Sequence, residues 1–101
     1  MPKGYILALV SVADEVAYRA SGYMAMAEAA IAAHGRRFLV RGGSPTPLEG
    51  AAITQRIVIL EFPSRDIAKA FYSSEDYAPA ITLRQSLSEG SLVLLDEYIS
   101  G

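Results

Sequence analysis

Apolar positions along the chain follow two rhythms, strand-like alternation and helical spacing, with turn residues between them. Tyr5 to Val12 (YILALVSV) is an unbroken β-rich run bounded by Gly4 and by Ala13-Asp14. From Val16 to His34, the positions Val16, Ala20, Tyr23, Ala27, Ala30, Ile31 and His34 recur at helical intervals. Asp14 stands where its carboxylate accepts from the first free amides of that helix. Gly22 lies inside it at a cost of about 1 kcal/mol relative to Ala, so the pattern predicts a kink near Ser21-Gly22 and an end at Gly35. A short strand follows over Arg37 to Gly42, then a proline- and glycine-rich loop over Gly43 to Ala52. Arg56 to Phe62 (RIVILEF) is the clearest strand of the chain. Pro63 stops it, and Ser64 caps a helix from Arg65 that presents Ile67, Ala68, Phe71 and Tyr72. Ser74 is placed to cap a further helix. Pro79 is tolerated only in a first turn, which puts that helix over about Pro79 to Ser88, with Gly90 closing it and Ser91 to Glu97 as the last strand.

The order is β-α-β-β-α-β. Two βαβ halves with right-handed crossovers give an α+β, ferredoxin-like domain with a four-stranded antiparallel sheet and helices on one face. The first and third strands, the most apolar, belong in the centre, and the second, with Arg37 and Arg41, belongs at an edge. One face of such a sheet should turn polar. Here Tyr5, Leu7 and Leu9 oppose Ile6, Ala8, Val10 and Val12. Ile57 and Ile59 oppose Val58, Leu60 and Phe62, and Leu92 and Leu94 oppose Val93 and Leu95. Both faces are apolar. An uncovered face of that size, roughly 300 Å² from strand spacing and rise, reaches the largest apolar patch of an ordinary soluble monomer. The pattern therefore predicts a homodimer closed through the open sheet face.

Composition narrows the picture further. At 101 residues the chain is read as one domain, 1–101. It has no cysteine, which removes disulfides and thiolate chemistry and suits a cytoplasmic location. No run suggests a signal peptide or membrane span, and a net charge of −2 speaks against nucleic acid as a partner.

Specific residues carry a resemblance. His34-Gly35-Arg36-Arg37-Phe38-Leu39-Val40-Arg41-Gly42-Gly43, then Leu48-Glu49-Gly50 and Glu61-Phe62-Pro63-Ser64, resemble the bacterial family named domain of unknown function 1330. Gly4-Tyr5-Ile6 and the stretch through Tyr72, Ser74, Tyr77 and Arg84 fit the same pattern, while Arg36 departs from a position that resembles Gly in the family. The resemblance implies a dimeric α+β barrel, two ferredoxin-like sheets packed face to face. That superfamily includes cofactor-free monooxygenases, lactone isomerases and dehalogenases, but the family implies no settled activity.

Candidate chemistry is sparse. His34, the only histidine, has no partner with which to build a zinc site. It reads either as a base partnered by Glu49 or Glu61, or as a helix-end residue favoured by the helix dipole. Arg41, Arg56 and Arg84 suit an anionic ligand, or else salt bridges to Glu49 or Glu61. Tyr18, Tyr23, Tyr72 and Tyr77 suit a pocket between helix and sheet, or plain packing. Gly42-Gly43-Ser44 is followed by prolines rather than a helix and is no phosphate loop. No serine has a nucleophile-elbow context, and neither metal nor dinucleotide cofactor is expected. These readings converge on a small apolar or aromatic acid held near His34 and Arg41, with Tyr18, Tyr72, Glu49 and Arg56 contributing and the Gly43–Ala52 loop as a lid. A cofactor-free enzyme and a purely structural interaction module are the alternatives.

Overall fold

The computed structural model describes residues 2–33, 37–42 and 44–99. His34, Gly35, Arg36 and Gly43 lie outside the described residues, and with them the histidine candidate and the expected helix stop at Gly35. The elements are β1 (Gly4–Val12), α1 (Glu15–Ala20), α2 (Tyr23–Ala33), β2 (Arg37–Gly42), β3 (Arg56–Phe62), α3 (Arg65–Tyr72), α4 (Ala78–Leu87) and β4 (Ser88–Asp96). The sheet runs β2-β3-β1-β4 with every neighbouring pair antiparallel, which is the ferredoxin-like arrangement with β1 and β3 central and β2 at an edge.

The expected caps at Asp14 and Ser64 form, whereas Ser74 caps the turn before α4, whose own N-cap is Tyr77 with no side-chain hydrogen bond. Asp14 Oδ1 accepts from Ala17 N at 3.0 Å, Ser64 Oγ from Ile67 N at 3.2 Å, and Ser74 Oγ from Tyr77 N at 3.2 Å. The kink at Ser21-Gly22 is a full break. Gly22 takes φ +83°, a left-handed conformation that costs a residue with a Cβ far more. Ser21 Oγ closes one helix by donating to Tyr18 O at 2.6 Å and opens the next by accepting from Tyr23 N at 3.1 Å. The break resets the helical phase, which corrects the expected inward face. Val16 is 79% exposed and Ala20 is exposed, whereas Tyr18 is buried.

Gly90 is a second correction. It does not stop a helix. The chain passes from Leu87 directly into β4 at Ser88, and Gly90 sits within the strand opposite Val10. A Cβ there would lie 2.0 Å from the Leu9 carbonyl oxygen. A helix C′ position and a close backbone approach use the same missing atom, so the residue type alone does not separate them.

Register assigns the two faces. Ile6, Ala8, Val10, Leu60 and Phe62 point to the helices and are buried with Ala27, Ala30, Ile31, Ala68, Phe71, Tyr77 and Ala80. Leu92 and Leu94 join this core from β4. On the other face, Leu7 pairs with both Ile59 and Val93, Leu9 with Ile57, and Tyr5 with Leu95. Val93 and Leu95 are exposed there. The Cα envelope is 16 Å in its thinnest direction, enough for a sheet and one helix layer at their usual separation.

The edge strand carries a register shift between Phe38 and Val40. Phe38 pairs with Leu60 and Arg41 with Val58, both inward positions, although 38 and 41 differ by an odd number. Strict alternation would put them on opposite faces. The bulge turns Arg41 to the helix side, where its guanidinium lies 4.3 Å from the Phe38 ring centroid.

Candidate functional site

Between α1, α2 and α4 on one side and the inner sheet face on the other lies a cavity of about 220 Å³. Its walls are mostly apolar, from residues such as Ile6, Ala8, Ile31 and Leu60, and among the described residues six polar side chains join them: Tyr18, Tyr23, Tyr77, Arg41, Arg56 and Arg84. Each has a distinct origin. Tyr18 ends the buried side of α1, and Tyr23 starts α2 just past the glycine break. Tyr77 caps α4, and Ala80 and Arg84 follow it at intervals of three and seven, on the one buried side of that helix. Arg41 and Arg56 enter from β2 and β3.

The tyrosines form a linked set. The Tyr23 and Tyr77 hydroxyls are 2.8 Å apart and hydrogen-bonded, the Tyr18 and Tyr23 rings are 5.6 Å apart, and Tyr77 stacks on Phe71 at 4.5 Å. Burial pushes the Tyr23 hydroxyl well above the usual phenol range, and the adjacent Tyr77 adds to the shift. Burial also raises Tyr18, partly offset by the positive charges of Arg56 and Arg84. Through the neutral range these hydroxyls stay protonated and act as donors.

The three arginines differ in their partners. Arg41 is ion-paired with Glu28 of α2. Arg56 is 3.6 Å from a Glu15 carboxylate oxygen, and its guanidinium lies 5.5 Å from the Tyr18 ring centroid. Arg84 is only 5% exposed, its Nε has no hydrogen-bond partner, and no acidic side chain among the described residues pairs with it. A buried donor without a partner costs about 1–3 kcal/mol, and more when charged, so this side chain requires an explanation.

The salt bridges expected with Glu49 or Glu61 do not form to these arginines. Glu61 pairs instead with Lys3 at 3.6 Å and Arg37 at 3.2 Å, because strand alternation sends it to the open face while Arg41, Arg56 and Arg84 face inward. Of the sequence candidates, Tyr18, Arg41 and Arg56 line the cavity. Glu49 is an exposed residue of the 44–55 loop and does not line it. Tyr72 stands behind Tyr77, 6.2 Å away ring to ring and 39% exposed, and also lies outside the lining. Sequence reasoning named Tyr23, Tyr77 and Arg84 without ranking them first. The interval of seven between Tyr77 and Arg84 is the signal that joins them on one helix face. Among the described residues, no group of three His, Cys, Asp or Glu side chains gathers to hold a metal ion, and no helix is long and apolar enough to cross a membrane.

A family model described as a domain of unknown function (DUF1330) matches residues 3–98. No curated protein matches the chain. Among solved structures, it is similar to the RPA0582 protein of unknown function from Rhodopseudomonas palustris, with a TM-score of 0.71 at 18% identity, over 98% of this chain and 85% of that one. It is also similar to SnoaB, a cofactor-independent oxygenase from Streptomyces nogalater, with a TM-score of 0.68 at 15% identity, over 99% of this chain and 97% of that one. At these identities the likeness establishes the fold alone.

Proposed function

We propose that this chain, which belongs to the DUF1330 family, binds a small apolar or aromatic carboxylic acid in the cavity between helices and sheet, and does so as a homodimer. The observation that carries the ligand reading is Arg84, a cation buried at an apolar cavity with its Nε unpartnered. A carboxylate ligand supplies the missing charge and acceptor, and guanidinium forks match carboxylates geometrically. Apolar walls with a few converging polar groups are the general form of a small-molecule site. At about 220 Å³ the volume is below the roughly 300 Å³ at which sites for drug-sized ligands begin, which fits a single ring with short substituents. Arg41, paired with Glu28, and Arg56, which shares Glu15 with the exposed Arg19, serve as wall and rim.

The dimer reading rests on the open face. Tyr5, Leu7, Leu9, Ile57, Ile59, Val93 and Leu95 form a continuous apolar surface, and among the described residues no helix lies over it. Burial is worth about 25 cal/mol per Å², and a two-fold pairing of identical faces closes the assembly. The result is the dimeric α+β barrel that the resemblance implies.

Turnover without a cofactor is the second reading. Burial raises the Tyr18 and Tyr23 hydroxyls and keeps them protonated, so they favour holding a ligand over abstracting its proton. The structural-module reading leaves the lone buried guanidinium without a reason.

Native mass spectrometry of freshly purified wild type and Arg84→Met tests the ligand, and sedimentation of wild type tests the assembly. We expect a dimer carrying a small acid that is lost in the variant. If no acid copurifies and none in an aromatic and aliphatic panel raises the melting temperature, the ligand reading fails. A monomer at micromolar concentration ends the dimer reading.

A further inference from the structure

Resting on the acid-site reading above, we infer that the ligand is a monoanion bearing a second, uncharged hydrogen-bond acceptor away from its carboxylate, an aromatic keto or hydroxy acid in class, and that the Tyr23–Tyr77 hydroxyl pair selects that acceptor. The charge count comes first. Among the described residues three guanidiniums line the cavity: Arg41 pairs with Glu28, Arg56 with Glu15, whose same oxygen also lies 3.7 Å from the exposed Arg19, and Arg84, the buried one, pairs with no described acid. One uncompensated positive charge in a low-dielectric site calls for one negative charge. A second carboxylate would be buried without a cation, which is strongly unfavourable.

The donor count points to the second group. Two hydroxyls share one hydrogen bond, 2.8 Å long. Whichever of them donates, the other keeps an unused O–H. Tyr77 is 4% exposed and its hydroxyl partner is part-buried, so that hydrogen has little water to donate to and is directed to the cavity content. Both tyrosines and Arg84 line the same cavity.

Spacing separates the two polar points. Tyr77 and Arg84 lie on the same buried side at the N-cap and in the last turn of α4. Seven residues of helix span about 10 Å, so the two backbone anchors sit at opposite levels of the cavity. The length between them suits a ring substituted at opposite ends, and the apolar walls suit the ring.

Three acids of one shape discriminate the possibilities by calorimetric titration: 4-acetylbenzoate, 4-isopropylbenzoate, which lacks the acceptor, and terephthalate, which adds a second charge. On wild type, 4-acetylbenzoate is expected to bind about two- to tenfold more tightly than 4-isopropylbenzoate, the range of one neutral hydrogen bond. Terephthalate is expected to bind at least about tenfold more weakly than 4-acetylbenzoate. In the Tyr23→Phe/Tyr77→Phe double variant the two acids are expected to bind with equal affinity, and a cooperative urea transition reports that the variant is folded. A preference that persists in the double variant, or terephthalate binding as well as 4-acetylbenzoate, overturns the inference and leaves the acid site standing. Failure of all three to bind wild type overturns both.

Discussion

Replacing Arg84 by Met should make the ligand-free protein more stable, not less. Arg84 is 95% buried by the complement of its 5% exposure, its Nε lacks a partner, and the hydrogen bond that Ser88 Oγ donates to residue 84 goes to the backbone carbonyl, which the substitution keeps. Met retains the length of the aliphatic stem and adapts to an irregular wall. The change thus removes a buried charge while keeping most of the packing. An unsatisfied buried donor costs about 1–3 kcal/mol, and even a paired buried ion is often replaced by apolar groups at no cost or with a gain of about 1–4 kcal/mol. We therefore expect a gain of about 1–3 kcal/mol in urea unfolding of dialysed protein. For a chain of this length that corresponds to a rise of roughly 5–15 °C in melting temperature. The comparison is made at equal protein concentration, since the proposed dimer would make stability concentration-dependent. Saturating acid then acts on wild type alone, adding about 2.7 kcal/mol at one hundred times Kd, so the gap between the two proteins closes or reverses. If Arg84→Met loses more than about 1 kcal/mol without ligand, the guanidinium is a structural strut and the argument from its isolation is wrong.

Three further outcomes are expected. Ile59→Glu, on the open face, should give a folded protein that sediments as a monomer or aggregates, whereas Phe62→Ala, at 0% exposure in the core, should cost about 3–5 kcal/mol; a dimeric Ile59→Glu would refute the face assignment. Gly90→Ala should destabilise at or above the upper end of the 1–3 kcal/mol typical of overpacking, because its Cβ meets the Leu9 carbonyl at 2.0 Å; equilibrium unfolding reads this, and an unchanged midpoint would refute the close approach. Burial raises the native Tyr18 and Tyr23 hydroxyls above the ordinary phenol value of about 10, so the unfolded chain loses these protons first. Stability should be flat from pH 7 to 9 and fall as pH rises past about 10. Tyr23→Phe should flatten part of that fall in a urea-midpoint series, and an unaltered slope would count against the buried hydroxyl.

How much of this was legible in the residues follows from the range of the forces involved. Asp14 and Ser64 cap their helices through atoms three residues away, Ser74 closes the turn before α4 in the same way, and β3 over Arg56–Phe62 is the run the apolar pattern marks. Caps, alternation and turn residues act within one turn or one strand, so element order, the ferredoxin-like topology and the apolar open face could be read from the chain. Local signals do not carry phase across an interruption. The break at Gly22 rotated α1 and exchanged Val16 for Tyr18, and the bulge after Phe38 turned Arg41 inward. Gly90 has the same chemistry as a helix stop and as a strand crossing, and only the proximity of Leu9 decides between them. The site belongs to this second category. Glu28 for Arg41, Glu15 for Arg56 and no described acid for Arg84 is an allocation made when helices and sheet dock, because charge pairing depends on distances between elements that no sequence interval encodes.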